Sequence, residues 1–90
     1  MTGVIDNPRR NRFELEEQGE LAFADYRRAN GQLIIPHVEA APALRGTGAA
    51  GRLMEGVLAA ARAEGLRVVP LCGYAAAYIQ RHKEHQDLLG

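Results

Sequence analysis

The hydrophobic pattern changes period near residue 41. Before it, apolar and polar residues alternate in short runs. Phe13-Glu14-Leu15-Glu16 is one run and Leu21-Ala22-Phe23-Ala24-Asp25-Tyr26 another. A period of two marks β-strands, and in the second run Leu21, Phe23 and Asp25 share a face. Gln18-Gly19 between them reads as a turn. Asn30-Gly31 follows, a pair in which both residues tolerate positive φ and so favour a tight hairpin. Leu33 to Glu39 is then a third strand. The first forty residues therefore predict an antiparallel meander. Residues 1–10 carry few apolar side chains and predict a loose arm, with Val4-Ile5 as a candidate edge strand.

After Ala41-Pro42-Ala43 the period lengthens. Ala50, Leu53, Met54, Val57, Leu58 and Ala61 recur at three- and four-residue steps, a single apolar stripe on a helix from about Gly48 to Glu64. Arg52, Glu55, Arg62 and Glu64 lie off the stripe and are expected in water. Gly65 fits the left-handed position that ends many helices. Leu66-Arg67-Val68-Val69-Pro70-Leu71 reads as a fourth main strand, and a shorter helix from about Tyr74 to His82 follows. Strand, helix, strand at this spacing implies a right-handed parallel crossover. The tail from Lys83 to Gly90 is polar except for Leu88-Leu89, which can dock on the core. The expected fold is α/β (α+β): a mixed sheet in one domain over residues 1–90.

Pro36 and Pro70 interrupt this regularity. Each sits in an apolar strand and removes a ladder donor. The two strands concerned are the expected parallel neighbours. Either each proline marks a bulge or strand end, or together they open a gap whose free backbone groups an extended ligand can pair with.

Composition narrows the function classes. With 90 residues the core is modest, and 47% apolar residues exclude global disorder. Formal net charge is zero, which argues against nucleic acid as partner. No apolar run approaches the ~18 residues of a membrane span, and the N-terminus is not signal-like. One cysteine forms no internal disulfide, so a reducing, cytoplasmic setting is expected.

The segment most suggestive of chemistry is Arg45-Gly46-Thr47-Gly48-Ala49-Ala50-Gly51. It follows a strand and opens the long helix. Small residues uncover backbone N–H groups there, and the helix start adds a partial positive charge of about +0.5, a setting for phosphate or pyrophosphate. Gly46 to Gly51 also spells G-x-G-x-x-G. A dinucleotide fold, however, needs the first glycine at the strand end and an acid on the next strand. Here Ala41 to Arg45 intervene, and Cys72 stands where the acid belongs. No Lys-Ser or Lys-Thr follows, so a P-loop is excluded too.

Arg45 to Ala50 instead resembles the R-x-x-G-x-A/G acyl-CoA loop of the GNAT superfamily of N-acetyltransferases. The resemblance runs on through His37-Val38-Glu39, Ala61-Arg62-Ala63-Glu64-Gly65-Leu66, Val69-Pro70-Leu71-Cys72 and Tyr78-Ile79-Gln80-Arg81-His82. The ordered set is similar to a short-form GNAT-like family and covers about residues 12 to 89. It implies acetyl-CoA or CoA as cofactor, with the pyrophosphate on the loop and helix start. It implies that pantetheine enters a splay between the two parallel strands, pairing with backbone of Val38, Glu39 and Ala40. Transfer to an amine is the implied activity. The chain has no room for the helices that shape the acceptor pocket in full-length members, which leaves an acceptor site that is open, suited to an amine on a protein or to an exposed small-molecule amine, or one completed by a partner. A non-catalytic CoA-binding module acting with a partner protein is the rival reading.

Acetyl transfer needs a base, an oxyanion donor and an acid. A lysine-like amine, pKa ~10.4, must lose a proton at a cost of roughly 4–5 kcal/mol at pH 7. His37 and Glu39 are base candidates because they alternate onto one face at the strand end beside the loop. Full-length relatives often carry the base earlier on this strand, near Ile34, which is apolar here. Cys72, after a strand and before a helix, is a candidate nucleophile, since helix N-termini favour the thiolate. Tyr78 lies where the superfamily often places a tyrosine that protonates the leaving thiolate. His82 and His85 could share a metal on a helix, but no third ligand is evident, and no metal is expected.

Overall fold

The computed structural model describes residues 3–90. Five strands form one sheet in sequence order: β1 (Ile5–Asn7), β2 (Arg12–Glu17), β3 (Glu20–Ala29), β4 (Gln32–Ala40) and β5 (Arg67–Pro70). β1 to β4 pair antiparallel and β4 pairs β5 in parallel. A 3-10 helix at Pro42–Leu44 leads into α1 (Ala49–Glu64), which carries the chain to β5. α2 (Gly73–Arg81) and a 3-10 turn at Lys83–Leu88 complete the chain. The mixed α/β fold, meander then parallel unit, is the one its periodicities predict. β3 runs beyond the alternating stretch to Ala29, and β5 is shorter than its apolar run.

The described part of the N-terminal segment is more ordered than its composition suggests. β1 pairs with β2, and Asp6 accepts hydrogen bonds from the Tyr26 hydroxyl (2.5 Å) and from Arg28 (2.9 Å). Arg28 also forks onto Glu64 at 2.9 and 2.8 Å, joining the edge strand to the end of α1. Polar clasps therefore add to the packing of Val4 against the core in holding this edge.

Both helices lie on one face of the sheet. Phe13 and Leu15 of β2, Ala22, Ala24 and Tyr26 of β3, Leu33 and Ile35 of β4 and Val68 of β5 point into the core. There they meet Leu53, Met54, Val57, Leu58 and Ala61 of α1 and Ala75, Tyr78 and Ile79 of α2. Ala49 is fully buried where the stripe reading favoured Ala50, and Gly56 joins the buried face. Leu88 docks as expected, whereas Leu89 stays 43% exposed. The opposite sheet face carries Arg12, Glu14, Phe23 and the outer residues of β4, and among the described residues no helix lies over it.

Among the described residues no helix is long and apolar enough to cross a membrane.

Candidate functional site

The bulge in β4 decides where the candidate base residues lie. Asp25 pairs with His37 but Arg27 pairs with Ile34, so Tyr26 alone faces both Ile35 and Pro36. One extra residue flips every later side chain to the other face. Without it His37 and Glu39 would follow Leu33 and Ile35 into the core. With it, Val38 and Ala40 turn toward the core, and His37 and Glu39 stand in solvent on the helix-free face. Pro36 sits in that bulge, where a missing N–H is tolerated.

Pro70 marks the matching point on β5. Parallel pairing covers Gln32↔Arg67 to Ile35↔Pro70 and then ends. The Ile35 carbonyl accepts both Leu71 N–H and Cys72 N–H at 3.0 Å as the chain turns away. One proline therefore marks a bulge and the other a strand end, and the strands part beyond them.

The register fixes what faces this splay. Ala41 N–H donates to the Leu21 carbonyl at 2.9 Å. Antiparallel pairs alternate between bonded and non-bonded, so Glu39 with Phe23 and His37 with Asp25 take the bonded positions. The backbone groups of Val38 and Ala40 thus turn away from β3, toward the side where β5 has already left the sheet.

The glycine loop lies beyond the end of β4. Thr47 Oγ1 donates to the Leu44 carbonyl at 2.6 Å and accepts from Ala49 N–H at 3.3 Å, which sets the turn. Gly46 (φ +79°) and Gly48 (φ +86°) are both left-handed, and Gly48 caps α1 with no side-chain cap hydrogen bond. Arg45 is exposed, and its side chain makes no hydrogen bond among the described residues. Arg52, one turn into α1, folds back over the loop. Its Nε and one terminal nitrogen meet Glu17 at 2.8 Å each, and the same nitrogen reaches the Thr47 carbonyl at 3.1 Å. The guanidinium holds the Glu17 carboxyl below the usual carboxylate range.

The candidate chemical groups occupy two places. His37 donates from Nε2 to Glu39 Oε1 at 2.9 Å, and the two side chains are 52% and 55% exposed. The Phe23 ring sits edge-on to His37 at 6.1 Å. Cys72 is the residue before α2 and packs half-buried against the core beside the splay, its N–H already used by Ile35.

Tyr78 lies between the helices. Its hydroxyl donates to Glu55 of α1, its ring stacks on His82 at 3.9 Å, and a side chain at Gly51 would meet it at 3.5 Å. Burial first, then Glu55, pushes its pKa well above the ordinary phenol value. The phenolic proton is thus directed at a carboxylate. His85 donates from Nε2 to the same carboxylate at 3.1 Å, and Tyr78 followed by His85 holds the Glu55 carboxyl below its usual range against the opposing effect of burial.

The helix pattern alone places Glu55 in water, and its side chain is 45% exposed yet engaged on both sides. Its partners lie 23 and 30 residues away, beyond the reach of a helix-face reading. The i, i+4 spacing of Tyr78 and His82 was the available signal that this face was structured. Glu55, Glu84 and His85 also bring ligand-type atoms within 4.8 Å of one another, with the Glu55 carboxylate already engaged by Tyr78 and His85.

A bulged strand, a parallel neighbour that parts from it, and a small-residue loop at the start of the connecting helix define an N-acetyltransferase type of fold. The family model described as GCN5-related N-acetyl-transferase matches residues 12–88, and the chain belongs to that family. Its members generally use acetyl-CoA and transfer acetyl groups. No curated protein matches the chain.

Proposed function

We propose that this protein binds acetyl-CoA along the loop and splay and transfers its acetyl group to an amine. The observation that carries this reading is the register at the splay. Val38 and Ala40 turn backbone N–H and C=O groups toward a side on which no strand follows, and the loop of Arg45 to Gly51 lies at one end of the same opening. Pantetheine is an extended chain of amides and pairs with such an edge as a strand would. The pyrophosphate then meets the N–H groups at the start of α1.

The chemistry is direct attack. The amine nitrogen bonds to the thioester carbonyl carbon, the carbonyl oxygen gains charge, and the C–S bond breaks to release CoA thiolate. A backbone N–H at Val38 to Ala40 stabilises the oxyanion. The amine must first shed a proton, and the His37–Glu39 pair stands ready on the helix-free face. With Nε2–H donated to Glu39, the ring's Nδ1 is the proton-accepting atom. That face is open, which suits a lysine on a protein surface. Tyr78 serves as acid for the thiolate only when its hydroxyl leaves Glu55. Cys72 offers a covalent variant: its sulfur takes the acetyl group with loss of CoA thiolate, and the amine then takes it from Cys72.

The commitment of Tyr78 to Glu55 favours one alternative, a non-catalytic module that binds acyl-CoA and acts with a partner protein. Mass spectrometry after incubation with acetyl-CoA separates the readings. Acetylated amine with release of free CoA supports transfer, and an adduct on Cys72 lost in Cys72→Ala identifies the covalent route. Tight CoA binding with no acetyl transfer to lysine peptides or polyamines would leave the binding module.

A further inference from the structure

Arg52 faces water as expected, its side chain 51% exposed, but its guanidinium is not free. Its guanidinium is clamped across the glycine loop by two bonds to Glu17 on β2 and one to the Thr47 carbonyl. Glu17 is itself only 26% exposed, so the clamp is anchored in the sheet. These bonds use Nε and one terminal nitrogen. The other terminal nitrogen makes no hydrogen bond among the described residues. It is also the atom nearest to Gly48: a Cβ built there would lie 3.0 Å from it. The protein thus holds an N–H donor close to the point where α1 begins. Arg45, the arginine of the family motif, has no such anchor.

We propose that Arg52 is a pyrophosphate-binding residue, oriented by Glu17, that adds a charged donor to the backbone N–H groups of the loop. The inference rests on the acyl-CoA reading above. Its chemical basis is the planar guanidinium fork: one edge satisfies a carboxylate while the remaining N–H groups serve a second oxyanion. Glu17 biases the guanidinium toward this geometry before the ligand arrives, so less rotamer freedom is lost when phosphate binds. The contact is with the pyrophosphate because the free nitrogen lies over Gly48 at the helix start.

The test compares wild type and Arg52→Gln by calorimetric titration with CoA, dephospho-CoA and pantetheine. The pair is exposed, so the variant is expected to stay folded, which its thermal melt verifies. Arg52→Gln should lose at least tenfold in affinity for CoA and an equal factor for dephospho-CoA, with pantetheine unchanged. Wild-type affinity for CoA with an unaltered value in Arg52→Gln would overturn the assignment and leave the acyl-CoA reading intact. A loss for CoA alone would move the contact to the 3′-phosphate and overturn the pyrophosphate assignment. If wild type binds CoA no more tightly than pantetheine, the phosphate cradle itself fails.

Discussion

Substituting Gly48 by Ala tests how the loop is built. Gly48 caps α1 at φ +86°, in the region where an L side chain crowds its own backbone. The local cost of a non-glycine residue there is about 1–2 kcal/mol. The added Cβ would also stand 3.0 Å from a terminal nitrogen of Arg52. That atom ends a flexible side chain and can retreat by a few tenths of an ångström, so the steric contribution is small beside the backbone one. For a domain of this size each kcal/mol lowers Tm by about 4–8 °C, a drop of roughly 4–16 °C. Net stabilities of about 5–15 kcal/mol leave the fold intact. Gly46→Ala provides the comparison: its φ is +79°, but nothing lies within 4 Å of the new Cβ. Thermal melts followed by circular dichroism should show similar losses for both variants. CoA titration should separate them, with Gly48→Ala weaker by about tenfold, ~1.4 kcal/mol, because Arg52 and the helix start are disturbed together. An unchanged Tm in Gly48→Ala would refute the left-handed cap. Equal CoA affinities in the two variants would refute the importance of the helix start.

Two further outcomes follow from the side-chain networks. Glu55→Ala leaves Tyr78 and His85 without their acceptor and should destabilise the protein by about 1–2 kcal/mol at pH 7, a value reduced for the 45% exposure of Glu55. The Glu55 carboxyl is lowered in the folded state, so its contribution is complete above about pH 4.3 and is lost as pH falls through the lower folded value. Denaturant titrations should therefore show the two proteins converging below pH 4, and a gap constant from pH 7 to 3 would remove the charge from the explanation. If Cys72 borders the pantetheine arm, CoA should slow its alkylation by iodoacetamide at least tenfold, whereas a rate indifferent to CoA would return Cys72 to the role of a half-buried side chain beside the core.

The legible parts of the fold are those coded by local pattern. Alternation gives β2 and the early part of β3, Asn30-Gly31 gives the hairpin, and the three- and four-residue steps from Leu53 to Ala61 give the helix face. The glycine loop is legible because its conformational demands fall on consecutive residues. The bulge is harder. Pro36 signals a missing donor, but only pairing with β3 shows that Tyr26 faces two residues and that His37 and Glu39 are turned out of the core. Long-range polar contacts leave the least trace. Arg52 reaches Glu17 across 35 positions and Arg28 reaches Glu64 across 36, and each side chain alone reads as an ordinary solvated charge. The same holds for Glu55, whose role appears only when α1, α2 and the last turn are packed together.

The central claim is that one cofactor lies along both the loop and the parted strands. Amide chemical shifts recorded while CoA is added test it directly. The account expects changes at Gly46 to Gly51, at Val38 to Ala40, and at Leu71 and Cys72, all saturating with a single Kd. Changes confined to the loop would mean that the phosphates bind while the pantetheine arm does not enter the splay, and would contradict the account.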